Sequence, residues 1–132
     1  MTFVFSKQSL SNLVGVHPKL AIVVHKALEF GIVDFKVTCG VRTQAEQDAL
    51  YAKGRTTPGE IVTKTRNSNH IIKSTGFGHA VDLDPTPVNF KDIGQYKFLA
   101  TVMFRSAMEN DIKILWGGHW KNPWDWGHYE IV

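Results

Sequence analysis

Ser68-Asn-His-Ile-Ile-Lys-Ser-Thr-Gly-Phe-Gly-His-Ala-Val-Asp-Leu-Asp-Pro85 sets imidazoles and carboxylates around a pivot of glycines. Its last part alternates: Val81 and Leu83 point one way, while Ala80 and Asp82 point the other, the two-residue period of a half-buried strand. A strand with one apolar face needs a second apolar layer against it. The flanking sequence supplies that layer.

Upstream, Asp34 to Arg42 alternates again, with Phe35, Val37, Cys39 and Val41 on one side and Lys36, Thr38, Gly40 and Arg42 on the other. Thr43-Gln-Ala-Glu46 reads as a capping box opening a helix to about Lys53, with Ala45, Ala49 and Leu50 as packing positions. Nearer the N-terminus, Ser6 caps a short helix with Leu10 and Leu13 inward. Pro18 starts a firmer helix whose stripe is Leu20, Val23, Val24, Ala27 and Leu28, ending at Gly31. His17 and His25 have surface or capping roles there. Residues 54–67 form a turn-rich connection with one extended piece at Ile61 to Thr63.

Downstream, Lys91 to Asn110 is the longest helical pattern. Tyr96, Leu99, Val102, Met103 and Ala107 form its inner face, widened by Phe98, Phe104 and Met108. Ile112, Ile114 and Trp116 suggest a strand running into Gly117-Gly118, and His128 to Val132 a last one with Tyr129 and Ile131 inward. The pattern predicts an α+β fold, a small antiparallel sheet flanked by helices.

With 132 residues, 43% hydrophobic and 20% charged, the chain has the material for a single domain over 1–132, with no separate binding domain expected. The N-terminus lacks the basic and apolar regions of a secretory signal, and no segment is apolar enough for stable membrane insertion. One cysteine excludes an internal disulfide, and the alternation makes Cys39 a buried strand thiol. The net charge of +3 and pI near 9.1 suit an anionic partner, but the basic residues are scattered and no nucleic-acid-binding signature is present. No nucleic acid partner is expected.

Zinc accepts imidazole nitrogen and carboxylate oxygen, and a catalytic site has three protein ligands and one open position. His70 in the loop before the glycines, Asp82 on the outward face of its strand and His128 at the start of the last strand are candidate ligands. Asp125, three residues before His128, is placed to be a general base toward the attacking water rather than a fourth ligand. Arg42 suits either a developing oxyanion or a substrate carboxylate. His79 points away from Asp82 in an extended strand, and His119 suits a ligand or a solvated role equally. From the residues alone, unrelated surface histidines remain the competing reading.

Val41 to Thr63, Ser68-x-His70, Gly78-His-Ala-Val-Asp82, Trp116-Gly-Gly and Asp125-x-x-His128, taken in order, resemble the VanY/endolysin branch of the zinc D,D-peptidase family, which includes phage and bacterial L-alanyl-D-glutamate peptidases. The resemblance spans most of the chain. It implies a hedgehog/D,D-peptidase-like fold, Zn2+ on His70, Asp82 and His128, Asp125 as acid/base, and Arg42 with Ser68 toward substrate. It further implies cleavage of the L-Ala-D-Glu bond in peptidoglycan stem peptides by a monomeric phage endolysin. Such a protein is made in the host cytoplasm without a signal peptide and reaches the wall through a membrane lesion. The alternatives are a D-alanyl-D-alanine carboxypeptidase and a non-catalytic wall-binding module. Eleven residues separate His70 from Asp82, more than is usual in the family, so Ile71 to Thr75 must loop out. His119 stands where relatives often carry aspartate.

Overall fold

A computed structural model of the chain describes residues 2–121 and 123–132. Its four strands, β1 (Phe35–Cys39), β2 (Ala80–Pro85), β3 (Ile114–Trp116) and β4 (His128–Ile131), form one antiparallel sheet in the spatial order β1-β2-β4-β3. The helices are α1 (Lys7–Asn12), α2 (Pro18–Glu29), α3 (Gln44–Ala52) and α4 (Ile93–Glu109), with one 3-10 turn at Gly117–His119. This is the small α+β arrangement that the periodicities predict.

Directly opposed residues of an antiparallel pair share a face. Val81 opposes Tyr129 and Leu83 opposes Val37, so these four make one buried face; Asp82 opposes His128 on the other. Against the apolar face pack Leu20, Val23, Val24, Ala27 and Leu28 of α2 and Leu99, Val102, Met103 and Ala107 of α4. The Ser106 hydroxyl donates to the Val23 carbonyl at 2.8 Å and ties the two helices together inside that layer.

Several expected packing positions differ. Leu13 of the first helical region is buried, but Leu10 is exposed and Ser9 takes its place. The reason is the free edge of β1: Ser9 Oγ accepts the Val37 N–H at 3.1 Å and Asn12 Nδ2 donates to the Val37 carbonyl at 2.9 Å. α1 therefore turns a polar face to the sheet and covers an edge that would otherwise be open to pairing. On α4, Phe104 packs against the core, whereas Phe98 and Met108 are exposed. At 100° per residue both lie outside the arc defined by Tyr96, Leu99, Met103 and Ala107. On α3, Ala45 and Ala49 are exposed and Leu50 is half-buried, while Gln47 is fully buried. That helix packs on polar partners. Ile61 to Thr63 pairs with no strand.

The β1–β2 register slips between Val37 and Cys39: Val37 faces Leu83, yet Cys39 faces Asp82. One extra residue in a strand reverses the side to which the following side chains point. Cys39 is accordingly half-buried on the Asp82 face, not buried in the core.

Candidate active site

Asp82 and His128 converge because β2 and β4 pair them directly. His70 arrives from outside the sheet. The Ser68 hydroxyl accepts the His70 N–H at 3.1 Å, the His70 carbonyl accepts from Arg42 N at 3.0 Å, and His70 Nδ1 lies 2.7 Å from the Gly40 carbonyl. A carbonyl only accepts, so Nδ1 carries a proton, and Nε2 is the nitrogen that offers a lone pair when the ring is neutral. A side chain on Gly40 would strike the Asn12 carbonyl oxygen, so only glycine lets this acceptor sit here. Ile71 stays bridged to Arg42, and the chain then turns through Ser74 to Gly76, which are exposed, with Lys73 N donating to the Phe77 carbonyl at 2.9 Å.

Asp82 Oδ1 is the centre of the arrangement. It is buried and accepts no well-directed hydrogen bond, yet His70 Nε2 and His128 Nδ1 each stand 3.3 Å from it. Its other oxygen, Oδ2, accepts from Arg42 Nη2 at 3.2 Å. Ligand atoms bound at about 2.0–2.1 Å around a tetrahedral ion stand about 3.3 Å apart, so an orphaned carboxylate oxygen between two imidazole nitrogens fits a cation. Among the described residues, two groups of metal-ligating side chains occur here: Cys39, His70 and Asp82, and Asp82, Asp125 and His128. They overlap at Asp82, and neither of them joins His70 to His128.

Charge is distributed accordingly. Burial works against the charged form of both imidazoles and of Asp82, but their mutual contacts outweigh it. His70 is raised to about 10 and His128 to about 9, while Asp82 is held well below the usual carboxylate range. Asp125 is pushed up to about 6, by loss of solvent first and by the Asp82 charge second, against the opposing pull of His128, His70 and Arg42. Its Oδ2 is 3.8 Å from His128 Nδ1, and its side chain is 43% exposed against 21% for Asp82. Gly117 allows this: a side chain there would collide with the Asp125 carbonyl oxygen.

The charged groups of the site line one cleft of about 800 Å³, which Cys39 does not reach. Arg42, Ser68, His70, Asp82, Asp125 and His128 border it. The rim is apolar and cationic: the Trp120 ring lies 5.0 Å from His128, and Lys64 Nζ sits 4.8 Å over the Trp124 ring.

A family model described as phage L-alanyl-D-glutamate peptidase matches residues 1–130. The chain belongs to that family. The L-alanyl-D-glutamate peptidase of Escherichia phage T5 is 27% identical over the full length of both chains. Bacillus subtilis peptidoglycan L-alanyl-D-glutamate endopeptidase CwlK is 29% identical over 76% of this chain, which spans 62% of CwlK. The crystal structure of the Serratia marcescens L-Ala D-Glu endopeptidase ChiX superposes with a TM-score of 0.79 at 32% identity, over 98% of this chain and 90% of that one. The cleft is thus the candidate active site of a peptidase with the fold of its solved relative.

Other histidines stand apart from this cleft. His17 Nδ1 caps α2 by accepting from Lys19 N at 3.1 Å, and its ring meets His79 edge-on at 5.4 Å. His79 Nε2 pairs with Thr75 Oγ1 at 2.7 Å. His25 packs on Phe5, and His119 stacks on Phe104.

Two residues beside the site are not apparent from the sequence. Cys39 Sγ comes 3.8 Å from His70 Nδ1 because of the bulge, which alternation hides. Gln47 accepts from Arg42 Nη1 at 2.9 Å and donates to the Thr65 carbonyl at 2.7 Å, joining the guanidinium to the cleft wall. Its one sequence signal is a polar residue on the inward side of a helix whose apolar stripe is thin.

Proposed function

We propose that this peptidase is a zinc enzyme that hydrolyses the L-Ala-D-Glu bond of peptidoglycan stem peptides, in the role of a phage endolysin acting on the wall once released through a membrane lesion. The observation carrying the reading is Asp82 Oδ1, an orphaned buried oxygen between two imidazole nitrogens in a peptidase cleft. His70 Nε2, Asp82 Oδ1 and His128 Nδ1 would hold the ion. Cys39 is the weaker candidate ligand, since it approaches the ring edge of His70 that already serves the Gly40 carbonyl.

When bound, zinc supplies a Lewis acid that polarises a carbonyl and acidifies water near neutral pH. The chain's own groups do the rest. Asp125, more exposed than Asp82 and facing the cleft, takes the proton of the attacking water and passes it to the departing D-Glu nitrogen. Arg42, oriented by Gln47 and Asp82, retains N–H donors for the oxyanion or a substrate carboxylate. Ser68 shapes the turn of His70 and offers its hydroxyl hydrogen to the peptide. Trp120, Trp124, Ile61 and Val62 provide apolar walls, and Lys64 and Lys121 favour an acidic peptide.

The test is digestion of purified peptidoglycan by zinc-loaded protein, with and without chelator, reading new termini by mass spectrometry. New N-terminal D-Glu that chelator abolishes is the expected result. Released D-Ala would instead indicate a carboxypeptidase, and absence of any chelator-sensitive product would overturn the reading.

A further inference from the structure

The face of His128 turned away from Asp82 is also engaged. His128 Nε2 lies 2.9 Å from Glu130 Oε1, and Glu130 Oε2 accepts from Asn69 Nδ2 at 2.6 Å. Glu130 and His128 are two apart on β4 and therefore share its outward face. Asn69 belongs to the turn that carries His70, sixty-one positions away in sequence. The same turn is stitched to β4 by the backbone: His79 N donates to the Asn69 carbonyl at 2.7 Å, and Ile131 N donates to the His79 carbonyl at 2.9 Å.

We propose that Asn69 and Glu130 form a clamp that holds the two candidate zinc histidines in ligating orientation, with Glu130 and Asn69 acting as positioning residues. The inference rests on the zinc reading above. An ionised carboxylate only accepts, so Glu130 requires a proton of His128 on Nε2, which makes Nδ1, the nitrogen toward Asp82, the one that offers a lone pair when the ring is neutral. A carboxylate on the far nitrogen of a ligating imidazole also fixes the ring and raises its basicity. His70 gets the same service from the Gly40 carbonyl, which substitution of side chains cannot remove. Only the His128 side has a side-chain carboxylate for this purpose. Asn69, by holding the second oxygen of Glu130, adds a mechanical link: movement of the His70 turn is carried to the strand of His128. The peripheral bonds thus connect the two ligand-bearing elements on the side opposite Asp82.

The experiment compares zinc affinity of wild type, Glu130→Gln, Glu130→Ala and Asn69→Ala by competition with a chromophoric chelator, with the circular dichroism and melting of each metal-free protein as the folding control. Loss of an outer partner of a metal ligand weakens binding by about 10–100-fold, and Glu130→Ala should show a loss of that order. Glu130→Gln, which keeps an oxygen acceptor but not the charge, should recover part of it, and Asn69→Ala should fall between wild type and Glu130→Ala. Cobalt-substituted Glu130→Ala should also have an altered visible spectrum, a change that a merely structural contact does not produce. If wild type binds zinc and folded Glu130→Ala and Glu130→Gln bind it equally well, the clamp is wrong while the zinc reading stands. If wild type binds no zinc, the zinc reading itself fails.

Discussion

Asp125 and Asp82 are carboxylates in one cleft, separated by environment. Asp82 is fixed between two imidazoles and a guanidinium, whereas Asp125 faces the cleft and holds its proton to about pH 6 in the metal-free protein. Beside a divalent cation held by the candidate ligands, Asp125 would ionise more readily and be an acceptor at neutral pH. Asp125→Asn should therefore lower kcat by about 10²–10⁴-fold while zinc content stays at one equivalent. Zinc lost together with activity would make Asp125 a ligand. The imidazoles carry a second prediction. His70 and His128 are raised to about 10 and about 9, so both are protonated at pH 7 before metal arrives. Ligation needs their lone pairs, so zinc uptake at pH 7 should release about two protons, and apparent affinity should strengthen as pH rises toward those values. Calorimetry in buffers of different ionisation enthalpy measures the release. Heats independent of buffer would mean that the rings are already neutral.

At the scale of elements, the site depends on short segments with strong local instructions. Thr43 Oγ1 accepts from Glu46 N at 3.1 Å while Glu46 Oε1 accepts from Thr43 N at 3.0 Å, the reciprocal box legible in the sequence. It starts α3, which carries Gln47 beneath Arg42. Thr43→Ala should cost about 0.5–2 kcal/mol in chemical denaturation. A loss within error would show that α3 is held by its tertiary contacts alone. The pKa of Glu46 is lowered, first by the Thr43 backbone hydrogen bond, so its share of stability is present above the ordinary carboxylate range and disappears as acid protonates it.

The elements that sequence predicts well are those with a clean period. α2 and β2 have their apolar positions where the pattern puts them, and β2 delivers Asp82 to the face opposite the core. Errors arise where partners in space decide. Leu10 loses to Ser9 because a sheet edge needed a hydrogen-bonding cover, Cys39 moves because of a bulge, and Gln47 is buried for Arg42 and the Thr65 carbonyl. Periodicity carries no information about such pairings. Motifs and family resemblance point to His70, Asp82 and His128 as a set, whereas the 3.3 Å spacings around Asp82 Oδ1 come only from the fold.

For the whole molecule, sheet and helices form a frame on one side, and loops from α3, the His70 turn and the segment before β4 make the cleft on the other. Among the described residues, no helix is long and apolar enough to cross a membrane. Since the candidate ligands come from separate elements, binding of a metal by them would link the frame to the loops. Saturating zinc at about 100 times its dissociation constant should add about 2.7 kcal/mol to folding stability, seen as a higher Tm that chelator reverses. An unchanged Tm on saturation would separate metal binding from the fold.

The most direct test of the metal centre is a crystal of zinc-loaded protein measured at the zinc absorption edge. A single anomalous peak at about 2.0–2.2 Å from His70 Nε2, Asp82 Oδ1 and His128 Nδ1 is predicted, with Asp125 outside ligand distance. A peak on Cys39 Sγ, or none in the cleft of a fully active enzyme, would contradict the account.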